Sequence, residues 1–385
     1  MTASVGALVL GTAIARADEP KLEPYGFIRL DAIVDDSAMS NDQFPGWVLR
    51  ESDANENDAR MTIHPRLSRL GARMKGIVLD EKTTGSLTVE IDFQNGGSES
   101  RETPRMRHAF FQIDRGQASF LIGQTWDLFS PLYPAANNDG LMWNAGNLGD
   151  RRPQARVALH PAMGGEGQIE LAAGIAMAGA IDNADLDGNG VMDGLDAAAP
   201  MLEGRLGIQQ PMGQGKLKAG VSGHWATKQL GDSVAAALPA HEDITSWSAG
   251  LDLSVPLGGK ATLEAEAWTG ENLADVRGGI GQAVNFATGD PIASTGGWAN
   301  VTFQASPKVT LAAGGSLDNP KDEDLPVGGR TLNQTIFGVV KYKPWKRVQL
   351  ALEYVNWKTE YETGDADVTG EGTANRFDAH ATFSL

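Results

Sequence analysis

The sequence contains no cysteine, so disulfides cannot stabilise the folded chain. It also lacks any run of about 18 consecutive apolar residues, the length that a membrane-spanning helix needs. Basic residues are scarce relative to acidic ones, with 32 lysines and arginines against 49 aspartates and glutamates, and the formal net charge is -17. That charge argues against nucleic acid as a partner, because phosphate binding requires a concentrated basic face.

The first residues have the pattern of a secretion signal. An apolar run ends on Ala15-Arg16-Ala17, the small-x-small motif of a signal-peptidase site. We therefore expect residues 1–17 to be a signal peptide and residues 18–385 to form one exported domain. An exported protein without disulfides needs another stabilising device, and closure of a sheet, which removes every exposed edge, is one such device.

Apolar and polar residues alternate along segments of about 10 residues, the length and period of a tilted membrane strand. In residues 87–94, Leu, Val, Ile and Phe at odd positions alternate with Thr, Glu, Asp and Gln at even positions. The chain ends on a segment of the same kind, with Phe377, Phe383 and Leu385 on one face. Counting these segments predicts an all-β fold, a transmembrane antiparallel β-barrel of about 16 strands, because single-chain bacterial barrels have an even number.

The connections between these segments are alternately short and long. Short ones include residues 161–166, 210–213, 256–258 and 343–345, and long ones include residues 36–65, 126–150, 179–200, 228–243 and 270–294. Outer-membrane barrels have short periplasmic turns and long extracellular loops, so both termini are expected on the periplasmic side. A soluble secreted β-rich binding protein, such as a propeller or a lectin-like fold, is the alternative, but it would not show this asymmetry.

Tryptophans near the predicted strand ends fall into two groups. By parity Trp225 and Trp247 face lipid, as expected of an aromatic belt. Trp268 and Trp298 share a face with polar residues, and we expect them to support loops instead.

The sequence resembles the bacterial general and substrate-selective porins. GFIRLD at residues 26–31 resembles their opening strand, and RHAF at residues 107–110 resembles their fourth. GQTW at residues 123–126, leading into DLFSP at residues 127–131, is most similar to DcaP-like porins. The resemblance implies a homotrimer of sixteen-stranded barrels, a connection at residues 126–150 that folds inward and constricts the lumen, and, from the DcaP-like type, an association with small carboxylates.

Basic residues recur at alternate positions of the first six predicted strands. A lipid-facing arginine near the bilayer midplane would cost roughly 2 to 4 kcal/mol, so these faces must point into the lumen or into a subunit interface. In the fourth strand, turning Arg107 inward leaves His108 and Gln112 outward, which would fit a trimer interface. The predicted pore-lining residues are Arg29, Arg69, Arg73, Lys75, Arg107, Arg152 and Arg156, with the carboxylates Glu90, Asp92, Asp127 and Asp139.

Two interpretations of these arginines remain open. A row of guanidinium groups facing loop carboxylates would create a transverse field that attracts anions. Alternatively, the same arginines pair with Glu90, Asp92 and their neighbours as structural ladders that do not set selectivity. Most of the acidic residues lie in the long loops and are expected to form an extracellular, cation-binding surface.

Residues 185–196 have the ligand spacing of a calcium loop. Oxygen ligands at loop positions 1, 3, 5, 9 and 12, a backbone carbonyl at position 7 and glycine at position 6 reproduce that geometry. The predicted ligands are Asp185, Asp187, Asn189, Val191, Asp193 and Asp196. The alternative is a flexible acidic loop without a metal.

Together these features predict an outer-membrane pore for passive diffusion of small hydrophilic solutes, favouring anions or small carboxylates. Its surroundings would be outer-membrane lipid and lipopolysaccharide. A non-selective general porin is the alternative. None of the six histidines lies in a recognisable catalytic motif, so we expect no enzymatic activity.

Overall fold

The computed structural model describes residues 20–41, 43–51, 58–94, 102–136, 140–179, 197, 199–229, 243–285, 287–364 and 370–385. The strands are β1 (Lys21–Asp35), β2 (Arg60–His64), β3 (Arg69–Asp80), β4 (Thr83–Asp92), β5 (Arg105–Arg115), β6 (Ala118–Trp126), β7 (Arg151–Leu159), β8 (Ala162–Met163), β9 (Gly167–Ala176), β10 (Met201–Met212), β11 (Gly215–Gln229), β12 (Asp243–Leu257), β13 (Ala261–Glu271), β14 (Ala293–Ser306), β15 (Val309–Pro320), β16 (Arg330–Trp345), β17 (Val348–Tyr361) and β18 (Gly370–Ser384). Short 3₁₀ helices lie in the loops at Leu273–Val276, Gly279–Gly281 and Asp322–Asp324.

The strands close into a barrel, because the first strand pairs with the last. β1 and β18 run antiparallel, from Phe27 opposite Ser384 to Asp35 opposite Arg376. Two positions in the wall each hold two strand segments, since β2 and β3 both pair with β1, and β7 and β8 both pair with β9. The described strands therefore form a closed 16-strand antiparallel barrel. The predicted fold class is confirmed, and the propeller or lectin-like alternative is wrong.

The two ends of the barrel differ in the length of their connections. At the end where β1 begins and β18 ends, turns such as residues 81–82, 116–117 and 213–214 contain two residues each. The opposite end carries the long connections, among them residues 127–150 and 272–292. One difference from the expected pattern lies in residues 36–65, where β2 forms a short strand inside the predicted loop. Its five residues are too few for alternation to distinguish a strand from a loop.

Side chains alternate between the outside and the inside of the wall. On β1, Ile28 and Leu30 are exposed on the outside, whereas Arg29 and Asp31 are buried on the inside. On β12, Leu251 is 60 % exposed while the neighbouring Asp252 is buried. This gives the barrel an apolar exterior suited to hydrocarbon and a polar interior suited to water.

No helix among the described residues is long and apolar enough to cross a membrane. The expected signal peptide, residues 1–17, lies outside the described residues and stays a prediction.

Candidate functional site

The connection between β6 and β7 folds into the barrel, as the resemblance to porins implies. We call the described residues of this connection, 127–136 and 140–150, the inner loop. Its backbone reaches the far wall, where the Ala135 N–H donates to Asn300 Oδ1 on β14 at 2.9 Å and the Ala135 carbonyl accepts from Lys341 Nζ on β16 at 3.3 Å. The loop therefore crosses the lumen.

Two ion pairs hold the ends of the inner loop. Arg152 Nε donates to Asp127 Oδ1 at 2.9 Å, and the Arg152 side chain has no exposed surface. Arg277 Nη2 donates to Asp150 Oδ2 at 2.6 Å. Burial acts to raise the pKa of Asp150, but Arg277 and Arg151 outweigh it, so the pKa lies below its ordinary value. Arg152 and Asp127, both predicted to line the pore, are thus buried as anchors of the loop.

Buried carboxylates on the wall bind the first half of the inner loop. Glu203 Oε2 on β10 accepts the Leu128 N–H at 2.9 Å. Glu266 on β13 accepts the Ser130 hydroxyl at 2.6 Å and the Leu132 N–H at 2.8 Å. The Leu128 N–H is buried, and leaving such a donor without a partner costs about 1 to 3 kcal/mol, whereas the Ser130 and Leu132 donors are only partly buried.

The second half of the loop lies directly against the wall. Gly146 has a φ of +117°, and a Cβ there would lie 2.3 Å from the Gly297 carbonyl oxygen on β14. Its own carbonyl accepts the indole N–H of Trp268 at 2.7 Å. On the same face, the indole N–H of Trp298 donates to Glu266. Both tryptophans therefore face inward and support the loop, as their parity predicts.

Apolar packing fills the side of the lumen beyond the inner loop. Met142 and Ala145 of the loop pack with Val48 of the first long connection, and with Phe337 and Trp357 on β16 and β17. A second cluster joins Phe129 and Leu148 to Trp268 and to residues of the 272–292 connection. The inner loop is therefore packed against the barrel wall on this side of the lumen.

Charges on β3 to β5 form a paired network that we call the arginine ladder, consisting of Arg69, Glu90, Asp92, Arg105 and Arg107. Arg105 donates twice to Asp92, at 2.9 and 2.8 Å. Arg107 bridges the two acids, with Nε at 2.7 Å from Glu90 and Nη1 at 2.9 Å from Asp92. Arg69 Nε lies 3.3 Å from Glu90. Each arginine of the ladder thus faces a carboxylate.

The expectation for the fourth predicted strand, β5, is wrong, because a β-bulge changes its parity. Glu90 pairs with His108 and Ile91 pairs with Met106, so Arg107 is an extra residue in β5. His108 therefore points inward as well, where its Nδ1 lies 3.0 Å from Thr125 Oγ1, and Gln112 lines the lumen. A trimer interface is not needed to explain either residue.

Arg29 on β1 belongs to a second paired group. Its guanidinium contacts Asp31 and lies 3.3 Å from Asp378 Oδ2 and 3.1 Å from His380 Nδ1. Asp31, Asp378 and His380 are close enough together to hold a metal ion. The guanidinium of Arg29 already supplies the positive charge that these groups face.

On its other side the inner loop borders a cavity of about 620 Å³. We call it the loop-side cavity; it is bordered by the loop and by the wall from β5 to β12. Arg156 and Lys218 line it, and among the described residues no carboxylate lies within ion-pair distance of either cation. Arg156 Nη1 has only long contacts, 3.3 Å to the Trp126 carbonyl and 3.5 Å to Gln154 Oε1.

The remaining predicted site residues are dispersed. Arg73 lies on β3 towards the short-turn end, with its guanidinium 4.2 Å from the ring centroid of Tyr25, and Lys75 pairs with Glu23 at 2.8 Å on the exposed rim. Asp139 and all six predicted calcium ligands lie outside the described residues, and their roles stay predictions.

Sequence reasoning did not single out the charged residues of the later strands. Arg205 on β10 binds Glu170 on β9 and Asp252 on β12, and Glu203 and Glu266 hold the loop. The available signal was parity: Glu203 and Arg205 occupy alternate positions opposite the exposed Leu202 and Leu206.

A serine–histidine contact also occurs in the lumen wall. His224 Nδ1 lies 2.6 Å from Ser248 Oγ, and its Nε2 lies 3.0 Å from Ser246 Oγ. All three residues are buried, and the ring of Phe129 from the inner loop covers the imidazole at 4.9 Å between centroids. The contact therefore packs the loop against β11 and β12.

No family model and no curated protein matches the chain. Solved structures do match it. The chain is similar to the outer membrane channel DcaP of Acinetobacter baumannii, at 18% identity and a TM-score of 0.74, over 95% of this chain and 97% of that one. An anion-selective porin from Comamonas acidovorans matches at 12% identity and a TM-score of 0.60, over 95% of this chain and 100% of that one. OmpT of Vibrio cholerae in its trimer form matches at 13% identity and a TM-score of 0.55, over 96% and 100%. At these identities the likeness shows the fold, a closed barrel of the kind found in outer-membrane channels.

Proposed function

We propose that this chain is a bacterial outer-membrane pore for passive diffusion of small hydrophilic solutes. The observation that carries the proposal is the combination of an apolar exterior with a polar lumen that an inward-folded loop divides into a packed side and an open cavity. The likeness to outer-membrane channels and porins supports it. No catalytic role is part of the proposal.

We propose further that the pore favours anions or small carboxylates. Arg156 and Lys218 face the loop-side cavity without a carboxylate partner among the described residues, so their charge acts on the solution in the cavity. Charges in a narrow passage with low-dielectric walls concentrate ions of the opposite sign. The acidic excess of the whole chain acts less there, because screening at physiological salt extends over about 8 Å.

Reconstitution in a planar lipid bilayer tests both proposals. A pore gives stepwise conductance in KCl, and the reversal potential in a salt gradient gives the ratio of chloride to potassium permeability. We expect chloride to be favoured. Conductance with no ion preference would return the assignment to a non-selective general porin, and no conductance at all would refute the pore.

A homotrimer surrounded by outer-membrane lipid and lipopolysaccharide is the proposed assembly. It rests on the barrel fold and on the trimer form of OmpT among the similar structures. Sedimentation in detergent, with the mass of the bound detergent subtracted, distinguishes a trimer of 40.8 kDa chains from a monomer.

Calcium binding by residues 185–196 is a separate proposal, supported by the spacing of Asp185, Asp187, Asn189, Asp193 and Asp196. Calorimetric titration of the folded protein with calcium is expected to show saturable binding that Asp187→Ala weakens. No binding heat, or equal binding by the variant, would refute it.

A further inference from the structure

The loop-side cavity presents charges of both signs. Apart from Asp127, which is paired with Arg152, its lining includes the cations Arg156, Arg205 and Lys218 and the carboxylates Glu170 and Asp252. A site that selected only for negative charge would not need acids in its wall. These charges differ in how far they are paired with one another.

Arg205 and Asp252 form an ion pair with each other. The Arg205 guanidinium contacts both Asp252 oxygens, and it extends flat across the wall over Gly220. A Cβ at Gly220 would lie 2.6 Å from Arg205 Nη2, so the glycine leaves the room that the guanidinium occupies. The pair forms a fixed part of the cavity wall.

Glu170 binds Arg205 through one of its two carboxylate oxygens. Its Oε2 accepts from Arg205 Nε at 3.0 Å, and its side chain is 36 % exposed. Since Arg205 faces two carboxylates, the three groups together carry one excess negative charge. This excess is available to a cationic group of a solute at the Glu170 edge of the cavity.

The positive edge lies nearer the inner loop. Arg156 on β7 pairs with Gly174 on β9, and Glu170 lies four residues from Gly174 towards the short turn. That separation is about 13 Å along the strand, and both long side chains reach into the same cavity. The positive and the negative edge therefore border one cavity from different positions along β9.

The inner loop supplies an apolar face to the same cavity. Pro131 and Leu132 line it beside the aromatic pair of Trp126 and Tyr133, whose ring centroids are 4.8 Å apart. Such a face accommodates an uncharged aliphatic or aromatic group.

We propose that the loop-side cavity is a binding site for zwitterionic α-amino acids with apolar side chains. The solute carboxylate binds Arg156, its ammonium group binds Glu170, and its side chain packs on the inner loop. A carboxylate without an ammonium group leaves the negative excess at Glu170 unmatched, and an amine without a carboxylate faces Arg156 and Lys218. The inference rests on the proposed pore function and specifies a solute class for it.

Block of the channel current by three matched probes tests this inference. L-phenylalanine carries both charges, 3-phenylpropionate lacks the ammonium group, and 2-phenylethylamine lacks the carboxylate. With the reconstituted protein in KCl at pH 7, we expect L-phenylalanine to give half-maximal block at a concentration about tenfold below that of either analogue, since a hydrogen bond between charged groups contributes about that factor.

Two variants assign the charges. Glu170→Gln is expected to weaken block by L-phenylalanine about tenfold and to leave block by 3-phenylpropionate unchanged or stronger. Arg156→Gln is expected to weaken block by L-phenylalanine and by 3-phenylpropionate, but not by 2-phenylethylamine. Heat-modifiable gel migration confirms that each variant forms the barrel.

The outcomes separate this inference from the proposed function. Ion conductance without saturable block by L-phenylalanine leaves the pore in place and overturns the amino acid site. Equal block by L-phenylalanine and 3-phenylpropionate also overturns it, in favour of a simple anion site. Absence of any conductance would refute the pore itself.

Discussion

Two regions of the lumen wall carry arginines in opposite ways. In the arginine ladder, Arg105 and Arg107 share Asp92, and Arg107 also binds Glu90. In the loop-side cavity, the hydrogen-bond contacts of Arg156 with other described residues are to a backbone and an amide oxygen. A guanidinium that is paired with a carboxylate contributes little field to the passage, whereas one without such a partner attracts anions directly.

The number of arginines on the lumen wall therefore differs from the number that lack a carboxylate partner among the described residues. In the sequence, the basic residues of the first six predicted strands all look alike. In the structure, the arginines of β3 to β5 are paired with acids of the neighbouring strand. The structural-ladder interpretation therefore describes β3 to β5, and the field-setting interpretation is best placed at Arg156.

Removal of Asp92 is expected to have the largest effect. The side chain of Asp92 is fully buried, and Asp92→Asn removes the carboxylate that Arg105 binds and leaves Arg107 with Glu90 alone. Breaking a buried pair in this way costs on the order of 3 kcal/mol. Urea unfolding in lipid vesicles measures the loss of unfolding free energy.

A matched control for this variant lies one strand away. Asp114 on β5 accepts a hydrogen bond from Gln112 Nε2 at 2.7 Å and has no arginine partner within ion-pair distance among the described residues. Asp114→Asn should cost about 1 kcal/mol or less. Equal losses in the two variants would mean that the ladder contributes nothing as a network.

Neutralisation of Arg156 is expected to change selectivity more than stability. Arg156→Gln removes a cation without a carboxylate partner from the loop-side cavity, so the reversal potential in a KCl gradient should move towards potassium. The matched comparison is the double variant Arg107→Gln with Glu90→Gln, which removes one charge of each sign from the ladder. A larger shift of the reversal potential in the double variant would mean that the arginine ladder, and not Arg156, influences ion selectivity more.

Alternation predicted the barrel well, because lipid on one side and water on the other impose a period of two on every strand. It predicted about 16 antiparallel strands with alternately short and long connections, as observed among the described residues. It could not predict the bulge at Arg107. Around this residue both faces of β5 carry polar side chains, so the alternation of polar and apolar residues does not reveal an extra residue.

The anchoring of the inner loop was also beyond prediction from the sequence. Its length and position identified it, but its partners, Glu203 and Glu266, lie 75 and 134 residues or more away along the chain. Contacts at that separation depend on which strands face each other across the lumen, and only the closed barrel determines this. Arg152 and Asp127 illustrate the limit, because strand parity placed Arg152 inside and the inward-folded loop placed Asp127 there, but neither showed that they bind each other.

Loosening of the inner loop is expected to have an intermediate effect on the passage. Glu266 accepts three hydrogen bonds, from Ser130, Leu132 and Trp298. In Glu266→Gln one acceptor becomes a donor, so a loop donor loses its partner at a cost of about 1 to 3 kcal/mol. Single-channel recordings should show higher open-channel noise and higher conductance. Glu264→Gln, on the same face of β13, is the control, and equal noise in both variants would contradict the anchoring role.

The smallest effect on the reversal potential is expected at the rim. It tests whether a cation that is ion-paired and far from the inner loop still influences ion selectivity. Lys75 Nζ lies 2.8 Å from Glu23 Oε2, and both side chains are more than half exposed at the short-turn end. An exposed pair is screened by salt over about 8 Å, so its charge barely reaches the inner loop. Lys75→Gln should therefore shift the reversal potential less than Arg156→Gln does at the same salt concentration. At low ionic strength the shift should grow, because screening weakens. A shift equal to that of Arg156→Gln at physiological salt would show that the rim helps to select ions, as the alternating basic pattern alone would predict.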